Sequence, residues 1–184
     1  YLTNKKEVVV SGEFDIIRPY CFDYCSDIES VLFAEGVEEI EYNALTHKDK
    51  LKDIVLPESL NYVGLKAFGD CINLEKVVFG DKTKFGDNPF INSKWSNSLR
   101  GDFVIFNQQL VEYRGKERHV IIPEGITDVV GRPFENNRIV EKITFPSSLI
   151  NLWSAVGFTE DSKLVEIEFI GNNLNSSLIS SISV

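Results

Sequence analysis

The feature that most constrains this chain is a period. Short apolar runs recur as "VVV" at 8–10, "VLF" at 31–33, "IVL" at 54–56 and "VVF" at 77–79, and their last residues, Val10, Phe33, Leu56 and Phe79, are each 23 apart. Ile122 and Phe145 close two later runs at the same spacing, and Phe169 follows 24 residues on. Only "VIF" at 104–106 is out of register, inside an interval of 43 residues, close to two periods. A unit of this size cannot bury its own apolar face, so units must stack and cover one another.

Other columns repeat with the runs. Four residues past each run's end stands a second apolar residue: Phe14, Val37, Leu60, Ile126 and Leu149. About twelve past it stands a small residue or proline followed by a large apolar one. These pairs are Cys21-Phe22, Ala44-Leu45, Ala67-Phe68, Pro89-Phe90, Pro133-Phe134 and Gly157-Phe158. Each unit therefore reads as strand, tight turn, second apolar corner and a short helical turn closed by the small–large pair. The expected fold is a repeat solenoid, α/β or mainly β, with strands pairing in parallel along the stack. The large members Phe22, Phe68, Phe134 and Phe158 should be buried opposite the strands.

"LKDIVLPESLNYVGLKAFGDCINLEKVVF" at 51–79 and "VIIPEGITDVVGRPFENNRIVEKITFPSSLINL" at 120–152 resemble the BspA-like leucine-rich repeat. The likeness covers roughly residues 8–170, and several columns agree across several repeats. "FVIFNQQLVEYRGK" at 103–116 is similar to an insertion seen in such proteins, two strands around a turn at Asn107-Gln108, giving a β-hairpin-like element near 103–113. The resemblance implies a right-handed leucine-rich-repeat stack, usually bacterial, secreted or on the cell surface, and used for adhesion or protein binding. It brings no catalytic motif. Departures include Leu45 for phenylalanine, Lys48 for cysteine and Thr83 at a second corner. Residues 1–184 read as one domain, with the Ser/Asn-rich stretch 171–184 as a cap or tail. The chain starts at Tyr1 and holds no methionine, which reads as a processed or excised piece, so that an export signal would lie upstream of it.

The balance of charge narrows the partners. A net charge of −9 argues against a nucleic-acid surface and against an electrostatic hold on anionic membranes. No apolar run is long enough to span a bilayer. The basic run "YRGKERH" at 113–119 and the acidic run "EGVEEIEY" at 35–42 read as solvated turns. The expected partner is a protein or glycan, with no cofactor, and oligomeric state is left open.

Strand alternation places the candidate site. If Val31 and Phe33 face the core, the outward column is Val9, Leu32, Val55, Val78, Ile105, Ile121, Thr144 and Glu168. A parallel outward column, Glu7, Ser30, Asp53, Lys76, Phe103, His119, Lys142 and Glu166, is mostly polar, so this face should meet solvent. An exposed apolar stripe marks a contact surface on many proteins, although branched residues also favour strands for their own reasons. Val9, Leu32, Val55, Val78 and Ile121 are the candidate partner-binding residues.

Chemistry-bearing residues are sparse. Cys25 and Cys71 occupy one column two rungs apart, about 10 Å, beyond disulfide reach. Cys21 fills a small-residue column, and all three read best as structural thiols, with Cys21–Cys25 pairing as an alternative. His47 and His119 suit neither zinc nor a catalytic triad. The stretch "GDKTKFGDNP" reads as a loop without calcium-ligand spacing. Glu166 and Glu168 share a face about 7 Å apart, as paired carboxylates of glycosidases do, yet at a stack end they also read as charge protecting an edge. Arg100-Gly101-Asp102 spells a tripeptide that some matrix proteins use on integrins, at a place where a turn wants glycine anyway. The main reading is a non-catalytic binding or adhesion module. The alternatives are a polysaccharide-active enzyme of parallel β-helix type and a passive spacer.

Overall fold

The computed structural model describes residues 5–152, 157 and 162–171. They fall into two compact units, Tyr1–Leu99 and Arg100–Val184. Each is a stack of rungs.

In the first unit the chain enters on β1 (Glu7–Val10) and turns into β2 (Ile16–Ile17). The same pair recurs as β3 (Ser30–Phe33) and β4 (Glu39–Ile40), β5 (Asp53–Val55) and β6 (Tyr62–Val63), then β7 (Lys76–Val78) and β8 (Lys84–Phe85). β1-β3-β5-β7 form one parallel ladder and β2-β4-β6-β8 a second. The register is the sequence period made physical: Val9 pairs with Leu32, Leu32 with Val55, and Val55 with Val78.

The second ladder was not foreseen as a strand. Its elements are two residues long, too short for alternation to show. Thus "EGVEEIEY" is not simply a solvated turn, because it carries β4 and buries Val37 and Ile40. "GDKTKFGDNP" likewise carries β8 and buries Phe85. The turns after the second ladder also bond from rung to rung: Leu45 N–H donates to Ala67 O at 2.8 Å, and Phe68 N–H to Pro89 O at 2.8 Å. Small residues in this column let the backbones approach that closely. Gly12 and Gly36 do the same at the first corner. A Cβ at either would overlap the backbone of the neighbouring rung, and Gly36 sits at φ +106°, which side chains avoid.

The core follows the predicted columns. Val31, Phe33, Val37, Leu45, Ile54, Leu60, Phe68 and Phe90 are buried, as are Phe22 and Phe134. Phe158 lies outside the described residues. Phe14 is a correction, being exposed rather than at a covered corner, because it belongs to the first rung and no described rung lies outside it. Thr83 fills its corner buried, with its hydroxyl donating to Leu60 O at 3.1 Å. The last rung of this unit packs Phe79, Phe85, Phe90 and Trp95 against one another, with ring centroids 4.9–6.2 Å apart. Trp95 lies on α1 (Lys94–Ser98), which starts where the Ser93 hydroxyl accepts from Ser96 N–H.

The second unit opens with an antiparallel hairpin, β9 (Phe103–Phe106) and β10 (Gln109–Tyr113), turning at Asn107-Gln108. Both turn residues have positive φ, the backbone a two-residue hairpin demands. Rungs follow as β11 (His119–Ile121) and β12 (Asp128–Val129), β13 (Lys142–Phe145) and β14 (Asn151–Leu152), then β15 (Glu166–Phe169). β11-β13-β15 are parallel, and β10-β12-β14 are parallel with β9 added at the antiparallel edge. The two units together hold about seven turns of repeat, each close to 23 residues. The predicted insertion is therefore present, and it explains the run that was out of register. It also corrects two column assignments, since Ile105 and Phe103 pair within the hairpin and not with the β11 ladder.

Candidate binding face

Four of the candidate residues line up on one sheet. Val9, Leu32, Val55 and Val78 are consecutive partners in the first ladder, each on the side of its strand away from the core. Val9 is 68% exposed, Leu32 43% and Val78 44%, while Val55 is half-buried between its two neighbours. Parallel rungs about 4.8 Å apart make these side chains a continuous strip. The column two residues earlier, Glu7, Ser30, Asp53 and Lys76, runs beside it as a polar border. Ile121 holds the equivalent place on β11 and is also 68% exposed. On that ladder its partner is Thr144, which is buried, its hydroxyl donating to Glu168 at 3.1 Å. The apolar strip therefore belongs to the first unit's four rungs, and in the second unit Ile121 is followed by polar residues.

One feature of this face was legible and missed. The residues just before the four strands, Lys6, Glu29, Lys52 and Glu75, alternate in charge at the 23-residue period, and Lys94 adds another cation. Glu29 bridges Lys6 at 2.9 Å and Lys52 at 2.8 Å, and Lys94 meets Glu75 at 2.9 Å. The two ammonium groups, that of Lys52 first, hold the Glu29 carboxyl down at about 2. Each exposed pair adds little to stability. The row does fix long side chains along one margin of the strip.

A second rung-to-rung device uses carboxylates as caps. Glu35 accepts from the backbone N–H groups of Glu58 and Ser59, both at 3.0 Å. Glu124 accepts from Ser147 N–H at 2.9 Å in the other unit. These bonds draw both carboxyls below their ordinary value.

Glu166 and Glu168 are exposed, and both meet Lys142, at 2.7 and 3.0 Å. Lys142, and next Thr144, hold the Glu168 carboxyl below its ordinary range, the opposite of what a general acid near neutral pH requires. All three cysteines are free thiols. Cys25 and Cys71 are buried, burial pushes the Cys71 thiol up to about 11, and its Sγ donates to Leu45 O. Cys21 is exposed, a correction that follows from its place on the first rung. His119 is exposed at the start of β11, and His47 lies 4.0 Å from Asp70. Arg100, Gly101 and Asp102 form an exposed bend before β9, with Gly101 at φ +98°. Among the described residues no three His, Cys, Asp or Glu side chains gather as metal ligands, and no helix is long and apolar enough to cross a membrane.

Stacked parallel rungs, two ladders per unit and an open strand face define a leucine-rich-repeat scaffold. The chain belongs to the BspA type leucine rich repeat region family, whose repeat matches in six copies over residues 1–99 and 112–182. Among solved structures it is similar to a leucine-rich repeat protein of T. pallidum, at 15% identity and TM-score 0.45, over 97% of this chain and 87% of that one. It is also similar to a leucine rich cell surface protein of Faecalibacterium prausnitzii, at 14% identity and TM-score 0.40, with 89% and 60% covered. The pneumococcal vaccine antigen PcpA matches at 21% identity and TM-score 0.37, with 81% and 50% covered. The chain thus spans half to three-fifths of the length of the last two proteins. No curated protein matches it.

Proposed function

We propose that this chain is a non-catalytic binding module of an exported, surface-associated bacterial protein, and that it docks a protein partner on the first ladder of its first unit. The observation that carries this reading is the exposed strip Val9–Leu32–Val55–Val78, in register over four rungs and bordered by polar side chains. An apolar centre inside a polar rim is the anatomy of protein interfaces. Membership of a family with cell-surface relatives supports the adhesive setting. Burying the exposed parts of three or four such side chains contributes a few kcal/mol before association costs, which suits micromolar recognition.

The test is the double variant Leu32→Lys with Val55→Lys, measured by surface plasmon resonance against a panel of purified extracellular-matrix glycoproteins, before and after enzymatic deglycosylation. The wild-type chain should hold a partner whether or not its glycans are present. The variant should unfold at nearly the same midpoint and bind at least about tenfold more weakly. Unchanged binding by the variant removes the strip from the site. Binding that vanishes on deglycosylation makes the partner a glycan. A collapsed unfolding midpoint means the strip is already covered, by a second copy or by another segment.

A further inference from the structure

Away from the strand face, a cleft of about 580 Å³ opens between the turn segments of the first two rungs, lined among others by Tyr20, Asp23, Ser26, Lys48 and Asp49. Its size falls within the roughly 300–1,000 Å³ of small-ligand sites. Lys48 is its unusual member. It occupies the column that holds Cys25 one rung before and Cys71 one rung after, both buried thiols. Lys48 is buried like them, at 6% exposure. Its ammonium makes a single hydrogen bond, to Asp23 O at a long 3.4 Å, and meets no carboxylate. A lysine with donors to spare is costly at a buried position where a thiol would pack, and a break in a repeat column of that kind marks a site with another use.

The other groups around the cleft specify what the ammonium would face. Lys50 is occupied by Asp27, and the Thr46 hydroxyl by Gly69 O. Among the described residues the carboxylates of Asp23 and Asp49 and the hydroxyl of Ser26 show no partner, and His47, also in the lining, lies 4.0 Å from Asp70, so Lys48 is the lysine there that meets no carboxylate. The Tyr20 ring is half-exposed and held in place, with Tyr42 edge-on at 6.0 Å and Asn43 Nδ2 donating to its hydroxyl at 2.9 Å.

We infer that this cleft binds an uncharged saccharide. Its ring would lie on Tyr20, its hydroxyls would donate to Asp23 and Asp49, and one of its oxygens would accept from Lys48. Two unpaired carboxylates disfavour an acidic sugar or any other anion, and the polar lining disfavours an apolar guest. A held aromatic ring and fixed polar groups limit the ordering cost of a weak ligand.

The test is a microarray of immobilised neutral oligosaccharides, ending in hexose or N-acetylhexosamine, beside their sialylated and uronate-bearing counterparts. The best neutral binder is then titrated as free sugar by calorimetry. Tyr20→Ala and Lys48→Met should each weaken binding by at least about tenfold. Lys48→Met should unfold at the same or a higher midpoint, because it puts an apolar side chain at a buried position whose neighbours in the column are thiols. Should it fail to fold, Tyr20→Ala and Asp49→Asn, both at solvent-facing side chains, carry the measurement. The strand-face variant Leu32→Lys/Val55→Lys should bind the sugar as wild type does, so either site can fail alone. Absence of neutral-sugar binding, binding of acidic glycans only, or neutral binding untouched by the cleft variants each overturns the inference.

Discussion

Phe68→Ala is the sharpest test of the column logic, because every part of its cost can be read from the packing. Phe68 is fully buried, stacked on Phe90 at 5.5 Å with rings 13° apart and edge-on to Phe33 at 6.3 Å. Removing the ring forfeits about 1.5–3 kcal/mol of burial and about 0.5–1.5 kcal/mol for each of two aromatic contacts. The sum brackets the roughly 3–5 kcal/mol seen for phenylalanine truncation in cores. The neighbouring rungs cannot close the gap, since their spacing is pinned by backbone bonds on both sides of Phe68, from Leu45 N–H to Ala67 O and from Phe68 N–H to Pro89 O. At a urea slope near 2 kcal/mol per molar, the midpoint should fall by about 1.5–2.5 M. Trp95, with its ring 5.0 Å from Phe90, reports this unit by fluorescence in a Trp153→Phe background. Because a stack is held by nearest-neighbour interfaces, the transition should also broaden as the rungs before Phe68 uncouple from those after it. An unchanged midpoint would refute the assignment of this column to the core.

Other expectations follow from the same geometry. Glu29 is held at about 2 against an ordinary 4.5, so its contribution is present above about pH 4.5 and is lost as the pH falls towards 2. The unfolding midpoint of the first unit should drop across that window, and Glu29→Gln should flatten the drop, which thermal melts over a pH series would check. Cys25 and Cys71 should resist alkylation in the native state while Cys21, accessible although partial burial pushes its thiol up to about 11, reacts slowly, as mass spectrometry after a timed thiol label would show. All three labelling at one rate would mean the column is open. Gly36→Ala should destabilise the first two rungs, since it combines positive φ with a backbone overlap at Gly12, and a wild-type melting profile would contradict that.

What the sequence made legible was whatever recurs at the period with a large side chain attached. The first ladder and the Phe22–Phe68–Phe134 column came from residue types that tolerate few alternatives, whereas the hairpin at Asn107-Gln108, out of register, was read from its resemblance to an insertion in the repeat family. The second ladder escaped because two-residue strands such as Tyr62–Val63 carry one inward residue each, too few to show alternation. Helix α1 escaped because "KWSNS" has no apolar stripe and is defined by its Ser93 cap and by Trp95 packing. The two first-rung misreadings, Phe14 and Cys21, share a cause. Column position predicts burial only where a neighbouring rung supplies the cover, and the first described rung has a neighbour on one side only.

That rule also explains where function can sit on such a chain. Inward columns are fixed by mutual cover, so a binding surface must come from outward columns or from breaks in inward ones. The strip from Val9 to Val78 is the first kind. It keeps apolar residues on a solvent-facing column where charge would do equally well for folding, as Glu7, Asp53 and Lys76 show two residues away on the same strands. Lys48 is the second kind, a charged residue in a column that its neighbours fill with thiols. The two kinds separate experimentally. Substitutions on the strip should alter binding and leave the unfolding midpoint alone, as outward positions do. A substitution at Lys48 that restores an apolar side chain should leave the midpoint unchanged or raise it, while weakening saccharide binding in the cleft by at least about tenfold. A residue whose removal costs binding and adds stability is one that the fold did not require.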